Sequence, residues 1–442
     1  MVGDDPLVST EEQPRPSILW WIYVLFFMVI ASLTTGSVNV YPSQRESIIN
    51  SLNISQGLST FMLTGGVVLM YFTLPIGVYL DKFGALNTLI LSSAVTFVSY
   101  IVLSFVTNAG AFITFYLLMA FGSSSIFFVC LQISLSRSPE SIHGISVSFV
   151  SASLSLSFGL FLEIYKAGKG SFKCKGYDCF FSGVQLVAIV VCSVVAVSLA
   201  NIIFFYHKFP DTPQQRPSTE LDSEASVRPP TVSRLKVLKN PQLYIYLFGM
   251  FMTVFDGMLV MSAGDVVWNF YGFKDAASKY GIAFSVTNCV STVTLSFIID
   301  FIINKYNNPR SKLFSLIWGI LGLVPLVIGL LLQTTKNETL FAAFMSMMGI
   351  PFGLGLSQIP TLVFDVFGQY VYGFSFGIVQ LGSIVASSIC MPIMLELSKS
   401  GVVAIFIACA VLQITVCVLI YIFSLNKCCK VENDTTEYEK IQ

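Results

Sequence analysis

The sequence predicts an all-α membrane protein, with twelve transmembrane helices in two pseudo-symmetric six-helix bundles. Three observations lead there. Of 442 residues, 55% are hydrophobic and 11% are charged, against about 25% charged in a typical soluble domain, so there are too few charges to build a water-soluble shell. The apolar residues gather into stretches of about 20, the length a helix needs to cross a ~30 Å hydrocarbon core in which unpaired backbone groups are too costly. One long polar interruption divides these stretches six and six.

In chain order the stretches fall at 18–40, 58–80, 86–107, 110–136, 144–165, 183–206, 242–264, 282–304, 312–333, 339–362, 372–395 and 401–425. Residues 1–17 carry Asp4, Asp5, Glu11 and Glu12 where a cleavable signal needs basic residues, so the first stretch reads as a retained anchor behind a cytosolic tail. The bundles then span 18–206 and 241–425, and 426–442 is a second cytosolic tail. Between the bundles, 207–240 holds Pro210, Pro213, Pro217, Pro229 and Pro230 among Ser, Thr, Glu and Arg, the composition of a flexible cytosolic linker.

Orientation follows from the basic residues. With the N-terminus inside, 15 of the 24 Lys and Arg fall on inner segments and nine on outer ones, as the positive-inside rule requires. The same orientation puts two glycosylation sequons, at Asn53 and Asn337, on outer loops. Cys174 and Cys179 share an outer loop, where they read either as a disulfide or as free thiols. Tyr438-Glu439-Lys440-Ile441 in the inner tail matches a Tyr-x-x-apolar sorting pattern, which leaves the plasma membrane and an endosomal or lysosomal membrane both open as addresses.

Several function classes are disfavoured. The 24 basic and 24 acidic residues balance, so no overall field draws the chain to nucleic acid. The ten cysteines follow no metal-ligand spacing, and the two histidines belong to no Gly-x-Ser-x-Gly, HExxH or P-loop motif, so neither an enzyme nor a metal or other cofactor is called for. The partners expected are the lipid bilayer, a small-molecule substrate and a coupling proton. Without a nucleotide-driven engine, uphill movement has to draw on an ion gradient or an exchanged solute.

The two halves repeat short patterns in the same helix order. Leu131-Gln132-Ile133 closes the fourth stretch and Ser357-Gln358-Ile359 lies near the end of the tenth; the fifth begins His143-Gly144-Ile145-Ser146 and the eleventh Tyr372-Gly373-Phe374-Ser375. Such repetition is a usual build of transporters.

After the second stretch the chain reads Gly77-Val78-Tyr79-Leu80-Asp81-Lys82-Phe83-Gly84. This resembles the signature of the major facilitator superfamily: a glycine, then Asp-Arg/Lys, one residue and Gly between helices two and three. The pattern breaks after Gly84, where Ala85-Leu86 stands in place of basic residues, and the corresponding loop of the second half looks degenerate, with only Asp300, Lys305 and Arg310 nearby. Tyr41 to Tyr100 is similar to the nodulin-like branch, which has relatives named for monocarboxylate transport, while Phe121 to Gln132 is similar to the system-L amino-acid branch. The resemblance implies a cavity between the halves, lined by helices one, four, seven and ten. On physical grounds, Asp81 can latch a gate by accepting hydrogen bonds from a neighbouring helix N-terminus, and Gly77 and Gly84 would let backbones approach closely.

Ionisable or strongly polar groups inside a span cost about 2.5 kcal/mol or more and so are functional candidates. Asp256, beside Gly257 in the seventh stretch, is the leading one, for a cationic group or a coupling proton; Thr34-Thr35-Gly36 is its counterpart in the first. Asn39, Thr35, Gln132, Asn288, Gln358 and Gln380 are candidates for orienting a substrate by hydrogen bonds. Glu163, an i,i+3 neighbour of Lys166, reads as a proton-exchanging carboxyl or as half of an interfacial ion pair. Ser151, Ser155 and Gly159, and likewise Gly373 and Gly377, recur at four-residue spacing, which allows close helix contact. The function expected is secondary transport, as a uniporter or proton-coupled carrier of a small polar organic solute such as an amino acid or monocarboxylate. The rival is a transport-dead receptor or partner-binding subunit on the same fold.

Overall fold

The computed structural model describes residues 17–41, 44–171, 178–209, 234–261, 267–268, 270–272, 276–331, 337–396 and 399–425. Among them, twelve helices are long and apolar enough to cross a membrane: Ile18–Val40, Gln56–Phe83, Ala85–Leu103, Ala109–Arg137, His143–Lys169, Phe180–Lys208, Pro241–Met261, Ile282–Tyr306, Arg310–Leu331, Glu338–Phe367, Gln369–Met394 and Ser400–Leu425. They are numbered as spans 1 to 12. The two tails, most of the linker and Cys174 lie outside the described residues, and so does the side chain of Cys179.

Within one continuous apolar core, each half has ties of its own. In the first, Tyr41 at the end of span 1 meets Phe112 and Tyr116 of span 4 edge to face, the arrangement aromatic quadrupoles favour, and Phe112 meets Phe180 of span 6 at a tilt. In the second, the Trp318 indole N–H donates to the Pro351 carbonyl at 3.0 Å and the Gln413 amide to the Trp318 carbonyl at 2.9 Å. Spans 9, 10 and 12 are thereby tied by polar bonds where lipid offers no hydrophobic drive between helices. Leu19, Phe26, Phe61, Phe105, Ile189 and Val290 face outward, as side chains bathed in lipid would.

An even number of spans brings the first residue of span 1 and the last of span 12 to one end of the molecule, here the termini end. Aromatic and basic side chains meet there: the Lys208 ammonium lies 3.9 Å over the Trp20 ring and the Arg137 guanidinium 5.0 Å over Tyr206, amphipathic pairs suited to a membrane interface. The stretch read from sequence as linker is helical at both edges, since span 6 runs to Lys208 and a short helix covers Arg234–Lys239. Asn53 and Asn337 are exposed at the opposite end. Asn53 ends the helix Arg45–Leu52 in a left-handed conformation, and the Asn337 side chain caps span 10 by accepting the Thr339 and Leu340 N–H groups.

Candidate functional site

At the termini end, carboxylates from one half close on helix N-termini of the other. Span 2 breaks at Phe72 and restarts at Leu74, with Pro75 in the first turn, where its missing N–H goes unused. The restarted turns carry Asp81 to the start of span 11. Its Oδ1 accepts the Gly373 N–H and its Oδ2 the Phe374 N–H, both at 2.8 Å. First-turn amides lack an acceptor within their own helix, and the positive end of the helix dipole adds to the attraction.

Backbone contact makes this possible. A Cβ on Gly77 would run into the Gly373 carbonyl, and one on Gly373 into Gly77 and the Asp81 carboxylate. Gly84 serves differently from the expected close approach: nothing lies within 4 Å of a Cβ there, but its φ of 82° and ψ of 168° belong to a region glycine enters almost alone. It turns the chain from span 2 into span 3. Lys82 is exposed, its ammonium 5.1 Å from the Phe83 ring.

The second half repeats the device. Asp300, at the end of span 8, accepts the Ile145 N–H of span 5 at 2.7 Å. Its other oxygen sits 2.5 Å from Arg310 Nη1, in a pair with side-chain exposures of 1% and 8%. Arg310 Nε also reaches Asp365 at 3.2 Å, and Nη1 donates to Gln358 Oε1 at 3.3 Å; the Gln358 amide donates in turn to Ser296 at 2.8 Å. A Cβ on Gly144 would strike Asp300 and Arg310. The loop that looks degenerate in sequence is therefore not so in space. Left-handed Asn307 and Pro309 turn the chain so that Arg310 folds back on Asp300. The matching tetrapeptides at 143–146 and 372–375 mark the two latches: in each, a glycine presses on the other half and the next residue donates its N–H to an aspartate.

Above the latches the halves stay in contact along spans 5, 8 and 10. Ser151 donates to the Leu356 carbonyl at 3.4 Å, and the Asn288 amide donates to the Ser155 hydroxyl. Phe128 stacks on Phe376 at 5.5 Å. One turn beyond Ser155, nothing lies within 4 Å of where a Gly159 side chain would begin, so close packing of this stripe stops there. Gly377 packs against Leu74 of span 2.

The structure distributes the remaining candidates. The outer part of span 1, Thr34–Val40, winds as a 3-10 helix in which Thr34 donates to the Ala31 carbonyl at 2.7 Å, the kind of back-bonding that loosens a helix. Within it Thr35 donates to the Ser123 carbonyl of span 4 at 2.8 Å, and Asn39 is half-buried. Asp256 is 0% exposed, and among the described residues no N–H or O–H group donates to either oxygen; its neighbours are the thiols of Cys390 on span 11 and Cys409 on span 12, the latter in hydrogen-bonding contact. It thus lies within the second half and is not gathered with Asn288, Gln358 and Ser155 at the contact between halves. Gln380 accepts from Ser383 on its own helix, and Gln132 is half-buried with a carbonyl oxygen that has no partner among the described residues. Glu163 pairs with Lys166 at 2.7 Å with 59% of its side chain exposed. It shares a heptad face with Phe149 and Leu156, which are also exposed, so the pair lies on the outside of the bundle and not in a buried site.

Residues 19–374 match the family description of the Major Facilitator Superfamily. The chain belongs to this superfamily. Two solved superfamily-fold transporters superpose over nearly its whole length. The proton:xylose symporter XylE, bound to 6-bromo-6-deoxy-D-glucose, gives a TM-score of 0.69 at 12% identity, covering 96% of this chain and 99% of that one. The human organic anion transporter MFSD10 (TETRAN) gives 0.60 at 14% identity, covering 93% and 100%. Identities this low speak for the fold alone. No curated protein matches the chain in sequence. Within the major facilitator fold, the residues sequence reasoning missed are Asp365 and Ser296, and it left Arg310 without a partner. Each reads locally as an ordinary polar group in or near a helix end, and only the fold brings them together.

Proposed function

We propose that the chain is a secondary transporter, working by alternating access as a uniporter or proton-coupled carrier of a small polar organic solute such as an amino acid or monocarboxylate. The observation that carries this reading is the pair of symmetry-related latches. Each joins the halves through charge-assisted hydrogen bonds from an aspartate to the first-turn amides of a helix in the other half, bonds that can open and re-form. A nodulin-like or system-L placement within the superfamily suits such a solute. Asp256 supports proton coupling, because a fully buried carboxyl with no N–H or O–H donor is a group that a proton or a cationic moiety would complete. The latches sit on the face read as cytosolic, which makes the state described here the one closed to the cytosol.

The test is uptake into proteoliposomes across a metabolite panel, with and without an imposed proton gradient, for the parent and Asp256→Asn. Gradient-driven accumulation by the parent, reduced in Asp256→Asn to exchange or facilitated flow, is the expected result. Absence of flux for every solute from protein that still binds a partner would defeat the reading and favour a receptor.

A further inference from the structure

The two latches are not equal. In the second, Arg310 opens span 9 and bridges Asp300, Asp365 and Gln358. The corresponding first residue of span 3 is Ala85, which supplies no cation. The carbonyl oxygen of Gln132, the counterpart of Gln358, is buried with no partner among the described residues. The first latch would be left as a bare carboxylate on two amides, were it not for the chain arriving from the linker. Arg234, the first residue of the short helix before span 7, places its guanidinium 5.6 Å from the ring of Phe374, whose N–H is one of Asp81's two donors, and its charge acts on Asp81. That helix is anchored: Val237 is buried, the Tyr244 hydroxyl donates to the Leu238 carbonyl at 2.8 Å, and Asn240 accepts the Gln242 N–H at 2.9 Å.

We propose that Arg234 is the positioning residue of the first latch, supplying from the linker the guanidinium that span 3 lacks. It balances the Asp81 charge and covers Phe374, so the ordering of the linker's last turn is tied to closure of the gate. A cation beside a carboxylate strengthens its hydrogen bonds, and a guanidinium over an aromatic face adds its own attraction. The role of closure in transport rests on the alternating-access reading. The contact itself does not.

Hydrogen exchange on the purified full-length protein reads the latch amides without any substrate. Arg234→Ala is expected to speed exchange in the peptide containing Gly373 and Phe374 at least about fivefold, the low end of coupling between elements. Adding Ala85→Arg is expected to restore protection, because it puts a guanidinium where the second half has one. In an Asp81→Asn background, Arg234→Ala is expected to add less than about twofold, since coupled residues are not additive. Unchanged exchange in Arg234→Ala overturns the proposal, as does a full fivefold effect on top of Asp81→Asn. A protein that shows this exchange pattern yet moves no solute would sink the transport reading and leave the latch standing.

Discussion

Asp81→Asn tests the gate most directly. The carboxylate accepts two N–H bonds of 2.8 Å at the start of span 11. Charge-assisted bonds contribute about 1.5–3 kcal/mol each and neutral ones about 0.5–1.5. Asparagine keeps one acceptor oxygen and turns an NH2 toward the other donor, so one bond is weakened and one lost. It also forfeits the attraction of the helix dipole, about 0.3–1 kcal/mol at an exposed site. Water can reach this end of the molecule and recover part of the loss, which leaves a net of about 2 kcal/mol, or roughly a 30-fold shift from closed toward open. Spin labels at positions 82 and 370, both exposed and on opposite halves at the termini end, would report the change in pulsed distance measurements on a cysteine-depleted parent. A longer-distance population should grow in Asp81→Asn. If the two distributions superimpose, the latch carries no closing energy and the reasoning fails.

Arg310→Ala should lower stability by about 3–5 kcal/mol, because it strands the buried Asp300 carboxylate without its cation, while the more exposed Asp365 can turn to water; loss of monodisperse protein on gel filtration would register it. Arg310→Lys should fall in between, since one ammonium cannot reproduce the guanidinium fork. Gly77→Ala should cost about 1–3 kcal/mol by overpacking against a backbone carbonyl that cannot move aside, and should lengthen the distance between the labels at 82 and 370. Gly159→Ala, with open space around it, is the control and should leave that distance unchanged. Gly84→Ala touches nothing yet forces a side chain to φ 82°, so it should lower the melting temperature by the equivalent of about 1–3 kcal/mol while leaving the latch distances intact.

The twelve spans were legible because lipid imposes one requirement, a helix of sufficient apolar length, and composition alone meets or fails it. Asp81 was legible through the Gly77 to Gly84 stretch, which resembles the superfamily signature and places a carboxylate at a helix end where first-turn amides of a neighbour need an acceptor. Asp300 and Arg310 were harder to read. They are ten residues apart, and what joins them is the left-handed turn at Asn307 and the return of span 9, neither of which a local pattern encodes. The short repeats at 143–146 and 372–375 held the clue, since the same glycine and following amide recur where each aspartate lands. Asp256 was found as an intramembrane acid, but the helix face it occupies depends on how span 7 packs on spans 11 and 12. Periodicity within one span cannot decide that.

Having one aspartate clasp on each side of the pseudo-twofold bears on leakage. On the alternating-access reading, the termini end opens only when Asp81 and Asp300 have both let go, so the free energies of the two clasps add in holding it shut. The roughly 30-fold bias worked out for the Asp81 clasp multiplies whatever the Asp300–Arg310 clasp supplies. Shared in this way, the closing energy leaves each clasp weak enough to be undone in the rocking cycle proposed above.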